Sequence, residues 1–333
     1  MPVLSRPPRP LGPHSRWVLA HRLITSLVVA LLAAVTFGAC HPSPSSVPPP
    51  LRFSGIPDAD KAKLTELYGS VATYLSAELG VAVEYVHVPD YTAAVTALAA
   101  NKIDFVWLGG VTAVQAQERT GGEIEFVAAR AQDLHFRSYF IAHRELIDDG
   151  TFHEVKDHDP MPLSALSDMA PALKGKSFTF GSKSSTSGHI MPRHFLQDAS
   201  VNINPERDFA GSAAYQLKGS HSATLRTVAA GGTQLGALNY SVWELADPAT
   251  QAQAPVIFVT PEYVDYCMIA HRRIGADRIA AIRKALLKLD PADPKHATVL
   301  EAFGAKAFVA VDASDWDGIR AVLGALRDKG LLR

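Results

Sequence analysis

Cysteine is scarce in this chain: Cys40 and Cys267 are the only two in 333 residues, so no disulfide framework holds the fold. There is also no Lys/Arg-rich run, and the formal net charge is -1, which argues against nucleic acid as a partner because a phosphate backbone demands a basic face. A Gly-x-x-x-x-Gly-Lys-Ser/Thr string is missing, which excludes a P-loop ATPase. No Gly-x-Ser-x-Gly elbow is present, and a Ser185–His221 pair would have no third group to orient the histidine, so no catalytic residue is assigned. The thirteen histidines form no zinc-type set: His189 and His194 are five apart, and His135 and His143 eight apart. Neither a metal nor a cofactor is expected. No solenoid-type repeat is visible. What remains is a composition of 47% hydrophobic and 20% charged residues, with ample apolar content for a core and length enough for two domains.

The first forty residues differ in kind from the rest. Arg6, Arg9, Arg16 and Arg22 precede an uncharged apolar run over 23–39, which closes on Phe37-Gly38-Ala39-Cys40. A basic region, an apolar run and small residues before a break are the parts of a secretory signal. Small residues leading directly into a cysteine resemble a bacterial lipoprotein signal, in which Cys40 is acylated and becomes the first mature residue. Residues 1–39 are therefore expected to be a signal peptide. The other reading is an uncleaved membrane anchor, since the run is near the lower length limit for spanning. Either way the rest of the chain is exported, to the periplasm or cell envelope, and Cys267 has no intrachain partner. Residues 40–50, rich in Pro and Ser, form a semi-extended tether.

From Leu51 onward short apolar runs alternate with helical patterns. Strands are expected at 51–53, 81–88, 103–108 and 125–130, with helices between them over 59–79, from Thr92 to Ala100 and over 112–119. This alternation implies a mainly parallel sheet. Near 137–142 the chain is expected to cross into a second lobe holding strands at 178–180, 209–214 and 235–238. After Asn239-Tyr240 it returns to the first, with a strand over 255–259 and helices over 276–289, 295–303 and 314–327. Lobe 1 is thus 51–137 plus 243–333, and lobe 2 is 138–242. Ligands of open α/β sheets bind at the carboxyl ends of strands, between such lobes.

One stretch dominates the chemistry: Gly181-Ser182-Lys183-Ser184-Ser185-Thr186-Ser187-Gly188, between a strand and a helix. A strand ending in such a turn leaves backbone N–H groups outward, with the positive end of a helix dipole behind them, which makes an anion site. One hydroxyl suffices for an N-cap, and four are more than capping requires. Other loops share the position: Tyr91 after one strand, Gly109-Gly110 after another, and Gly219-Ser220-His221 before a helix.

These pieces, in this order, resemble the phosphate/phosphite/phosphonate-type periplasmic binding proteins of ABC importers: Asp90-Tyr91, Asp104-Phe105-Val106-Trp107-Leu108-Gly109-Gly110, Gly175 to Gly181, Ser185-Thr186-Ser187-Gly188 with Pro192, and Gly219-Ser220-His221. Parts of them are closest to the branch labelled as selenate or related oxyanion binders. The resemblance implies a two-lobed class II binding-protein fold, α/β in class, with the ligand cleft between lobes. Ser185, Thr186 and Ser187 would hold a small oxyanion, aided by Gly188, Ser220, His221 and, from the other lobe, Tyr91, Gly109 and Gly110. Trp107, just before Gly109-Gly110, is read either as narrowing the cleft or as a core aromatic at the end of a buried strand, and His221 would be protonated beside the anion. Phosphonate binders usually carry an aspartate where this chain has Gln234 and a tyrosine near Val111-Thr112-Ala113. On that basis Gln234 joins the site, and a small inorganic oxyanion without an ammonium tail is favoured. Membrane partners would be an ABC permease or, alternatively, a sensor histidine kinase reading the same cleft, as in arsenite-sensing relatives.

Overall fold

The computed structural model describes residues 48–57, 61–211, 214–215 and 220–332. The expected signal peptide, Cys40 and most of the expected tether lie outside these residues, as does Gly219. Among the described residues no helix is long and apolar enough to cross a membrane.

Along the chain run β1 (Leu51–Gly55), β2 (Val83–Tyr85), β3 (Phe105–Leu108) and β4 (Ile124–Arg130). They are followed by β5 (Ser138–Ala142), β6 (Phe178–Phe180), β7 (Ala214–Tyr215), β8 (Leu235–Asn239) and β9 (Val256–Val259), and then by β10 (Cys267–His271) and β11 (Phe308–Ala310). One sheet has the order β11-β4-β10-β3-β1-β2, the other β7-β6-β8-β5-β9. Both belong to one compact unit, residues 49–333.

The strands form where β-rich apolar runs can be covered on both faces. All four residues of β3 and all four of β9 are buried, as expected for strands sandwiched by helices. The covering helices show the complementary spacing: Lys61–Leu79 buries Leu64, Tyr68, Val71, Ala72 and Leu75 along one stripe. Helix Tyr91–Ala99 starts where it does because Asp90 accepts a hydrogen bond from the Ala93 N–H at 2.7 Å.

Parallel pairing holds for β1 with β2 and β3, and for β6 with β7 and β8. Antiparallel pairing joins each strand that has crossed from the other sheet to its neighbours and also joins β11 to β4, so antiparallel pairs outnumber parallel ones and the expected mainly parallel sheets are mixed. Strand β10 inserts between β3 and β4, and β5 inserts between β8 and β9. Local periodicity reveals that a strand is buried, but not which sheet receives it.

The same limit explains a shift in the second crossover. The chain does not return after Tyr240, because β9 pairs with β5 in the five-stranded sheet. The return runs over 260–266, beside the outgoing crossover: Phe136 and Tyr263 exchange backbone hydrogen bonds at 2.8 and 2.9 Å, and the Asp265 N–H donates to the Asp133 carbonyl at 2.9 Å. Beside it, Arg130 forms a bidentate pair with Asp133 at 2.6 and 2.7 Å. The guanidinium also donates to the Phe303 carbonyl and lies 5.0 Å from the centre of the Tyr266 ring. The crossover that positions the site thus rests on a buried, fully partnered charge pair.

Candidate functional site

Strand β6 ends at Phe180, and the hydroxyl loop begins where two glycines let backbones touch. The Gly181 N–H donates to the Gly188 carbonyl at 2.8 Å, and a Cβ on Gly181 would stand 3.3 Å from the Gly188 Cα. Ser185 is the cap, its Oγ accepting from the Gly188 N–H at 3.1 Å. Beyond it Thr186–Ile190 makes a π-helical turn, with the Ile190 N–H reaching the Ser185 carbonyl at 3.0 Å. Wide turns of this kind are frequent at functional sites.

The three central hydroxyls have separate fates. Ser185 is spent on the cap. Thr186 Oγ1 accepts from the Val111 N–H at 3.0 Å, joining this loop to the first turn of helix Gly110–Arg119, which follows a strand of the other sheet. The Ser187 carbonyl accepts from the Ser138 hydroxyl at 2.7 Å, while its own Oγ is buried and makes no well-formed hydrogen bond. That Oγ lies close enough to the Asp265 carboxyl and the Tyr263 hydroxyl to affect both.

His221 opens helix His221–Ala229, which Ser220 caps through the Ala223 N–H at 3.2 Å. The ring presses on the loop: a Cβ on Gly188 would lie 3.0 Å from His221 Cε1. The Asn239 N–H, at the end of β8, donates to Nδ1 at 3.2 Å, so the proton of the neutral ring is on Nε2. Nε2 itself is buried without a partner. Burial lowers the imidazole pKa to about 4. With no anion beside it the ring is neutral and carries its proton on Nε2; the protonation expected of His221 concerns the ring beside a bound anion.

The facing wall is built by Gly109, Gly110 and a residue that the sequence reading missed, Asp265. The Gly110 N–H donates to Asp265 Oδ1 at 2.9 Å, and a Cβ on Gly109 would stand 3.1 Å from that oxygen and 3.3 Å from Thr186 Oγ1. A side chain at Gly109 would have to push these neighbours back by a few tenths of an ångström. Asp265 is fully buried, and its Oδ2 has no partner. Burial pushes its carboxyl up to about 7, against the opposing pull of the Gly110 N–H and of the Thr186 and Ser187 hydroxyls. A signal was present in the sequence, since an acid between two tyrosines (Tyr263-Val264-Asp265-Tyr266) just ahead of an apolar run is unusual for a core segment.

Two expected site residues stand elsewhere. Trp107 is core: its ring stacks on Tyr266 at 6.0 Å and meets Phe303 edge-on at 5.0 Å. Gln234 clamps the opposite end of the strand pair, its Oε1 accepting from the Ser177 N–H at 3.1 Å and its N–H donating to Ser177 Oγ at 2.9 Å. It precedes β8 by one residue, whereas the site lies past Asn239, about 17 Å away along an extended strand. The carboxyl held to be missing at Gln234 is present in the site as Asp265. Tyr91 is buried as the first residue of its helix, and Val111 is buried in the first turn of helix Gly110–Arg119.

Ser185, Thr186, Ser187, Gly188, His221, Gly109, Gly110 and Asp265 are thereby brought together, without a cation among them. Neutral donors around one carboxyl can desolvate an anion and still release it, because no full countercharge must be separated.

Comparison with known proteins gives the family and the fold. The family described as "ABC transporter, phosphonate, periplasmic substrate-binding protein" matches residues 53–316. The chain is 33% identical over 286 residues to a probable ABC transporter phosphite binding protein, PhnD1, of Prochlorococcus marinus (strain MIT 9301), covering 83% of this chain and 90% of the relative. The structure of that PhnD1 in complex with methylphosphonate superposes with a TM-score of 0.72 at 31% identity, covering 85% of this chain and 98% of that one. A binding protein component of an ABC phosphonate transporter from Pseudomonas aeruginosa shares the fold, with a TM-score of 0.67 at 22% identity over 82% of this chain and 85% of its own. The two-sheet α/β fold, the hydroxyl loop between the sheets and the matched span agree: this chain belongs to the phosphonate-type periplasmic substrate-binding proteins of ABC transporters.

Proposed function

We propose that this protein captures a small phosphorus oxyanion, phosphite or methylphosphonate in type, between its two sheets and delivers it to an ABC permease. The observation that carries this reading is the set of three buried polar atoms that no well-formed protein hydrogen bond satisfies: Ser187 Oγ, His221 Nε2 and Asp265 Oδ2. Leaving a buried donor or acceptor unpaired costs about 1–3 kcal/mol, so three on adjoining segments are unfavourable unless a ligand uses them. Their chemistry describes that ligand. Ser187 and His221 donate to anionic oxygens. Asp265, which titrates near neutrality, shares one proton with the ligand, accepting from a P–OH group when ionised and donating when protonated.

The carboxyl at Asp265 removes the sequence argument against an ammonium tail, so aminoethylphosphonate belongs in the test. The relatives named for phosphite or solved with methylphosphonate support the tailless ligands. Nothing in the comparisons points to the sensory alternative. Attachment to the membrane through an acylated Cys40 completes the proposal. Mass spectrometry of the exported protein should show the lipid, and Cys40→Ser should release the protein from the membrane fraction.

The deciding experiment is a thermal-shift panel of phosphite, methylphosphonate, phosphate, aminoethylphosphonate, sulfate, selenate, selenite, arsenite and arsenate. A ligand at a hundred times its Kd stabilises by about 2.7 kcal/mol, which a melting curve resolves. Phosphite or methylphosphonate should give the largest rise. If no oxyanion shifts the transition while an uncharged vitamin or amino acid does, the reading is wrong.

A further inference from the structure

The hydrogen bonds that hold the loop over 181–188 in shape include, besides the Ser185 Oγ cap on the Gly188 N–H, three more. Two are backbone to backbone, from the Gly181 N–H to the Gly188 carbonyl and from the Ser185 N–H to the Ser182 carbonyl at 2.9 Å. The third comes from a side chain: His189 Nδ1 lies 2.8 Å from the Lys183 carbonyl. A carbonyl can only accept, so Nδ1 carries the proton. The ring is 2% exposed and stands edge-on to Phe180, the last residue of β6, at 5.2 Å. It therefore fills the inside of the loop, bridging the π-helical turn that carries Thr186 and Ser187 and the strand end that launches the loop.

Its surroundings keep the ring uncharged. Burial lowers the pKa to about 4, and the Arg193 cation adds to that effect. Arg193 is in turn occupied by Glu206 through bonds of 2.6 and 2.7 Å. A neutral donor of fixed length suits this position, since it can pull a carbonyl inward without placing a charge behind the anion site.

We propose that His189 is a positioning residue for the oxyanion loop: its Nδ1–H fixes the Lys183 carbonyl, and with it the direction in which residues 185–187 present their hydroxyl and amide donors. The inference rests on the reading of that loop as the ligand site. It also gives a role to a histidine that belongs to no metal-ligand set among the described residues.

The test pairs His189→Phe, which keeps a flat buried ring and loses the donor, with His189→Gln, which restores a neutral N–H. Calorimetric titration with phosphite should show a Kd weakened about tenfold in His189→Phe, the worth of one well-placed hydrogen bond, and recovered to within about threefold in His189→Gln. Two readouts need no ligand. Imidazole ¹⁵N shifts of the wild type should report the Nδ1–H form, and amide exchange at Ser185 and Gly188 should quicken in His189→Phe and recover in His189→Gln. An unchanged Kd in His189→Phe, equal damage in both variants, or an Nε2–H tautomer overturns the proposal. If the wild type takes up neither phosphite nor methylphosphonate, the functional reading falls, while the tautomer and the exchange rates still decide the role of His189.

Discussion

Replacing Asp265 by asparagine tests both the electrostatics of the site and its chemistry. The carboxyl is fully buried, accepts from the Gly110 N–H through Oδ1 and leaves Oδ2 unpaired. Its folded pKa of about 7 is raised above the ordinary value of 3.8, so the protein holds this proton more tightly than the unfolded chain does. The stability tied to that proton is fully present below pH 4 and is lost as the pH rises towards 7. At about 1.4 kcal/mol for each tenfold in acidity, ionising Asp265 in place costs about 4 kcal/mol. Separation of the two sheets at the Phe136–Tyr263 crossover would hydrate the carboxyl and reduce that figure. The amide of the Asp265→Asn variant keeps the acceptor for Gly110 but does not titrate. Urea unfolding of the ligand-free protein from pH 4 to 8 should therefore give a difference curve, variant minus wild type, that climbs by between about 1 and 4 kcal/mol. Titration with phosphite adds a second readout: above pH 7 the wild-type complex must take up a proton, and its affinity should fall by up to about tenfold per pH step, less steeply in Asp265→Asn. A flat stability difference, together with equal pH slopes of binding, would refute the argument.

Thr186→Ala combined with Ser187→Ala should abolish phosphite binding measured by calorimetry, at a folding cost of about 1 kcal/mol for the lost Val111–Thr186 hydrogen bond; retained affinity would move the site elsewhere. Asp133→Asn leaves the Arg130 guanidinium buried beside half a partner, and denaturant unfolding should show a loss of about 3–5 kcal/mol. Gln234→Asp, placed at the far end of β8, should leave the phosphite Kd unchanged within about twofold, since no ligand contact is altered; a larger change would return Gln234 to the site.

The hydroxyl loop was legible in the sequence because its signal is local. A strand, a run of small hydroxyl residues closed by Gly188, and a following helical turn are neighbours in the chain, and backbone sterics and capping decide their conformation without distant help. Gly109-Gly110 and His221 were legible for the same reason, each standing where an element begins. Asp265 was not, because nothing within a few residues of it states that its carboxyl will meet the Gly110 N–H, 155 positions earlier. Gln234 entered the expected site only through the resemblance, as the position of an aspartate in phosphonate binders, and nothing local in the sequence says at which end of β8 it stands.

Sequence alone thus determined the alternation of strands and helices and the hydroxyl-rich turn between a strand and a helix, properties set by residues adjacent in the chain. The tertiary structure decided which sheet receives β9 and β10, which hydroxyl of the loop caps it and which meets the Val111 N–H, that the buried His221 ring is neutral, and that the Asp265 carboxyl meets the Gly110 N–H. These outcomes depend on burial and on partners brought together by the two crossovers, and desolvation and hydrogen-bond satisfaction act only once the chain has folded around them.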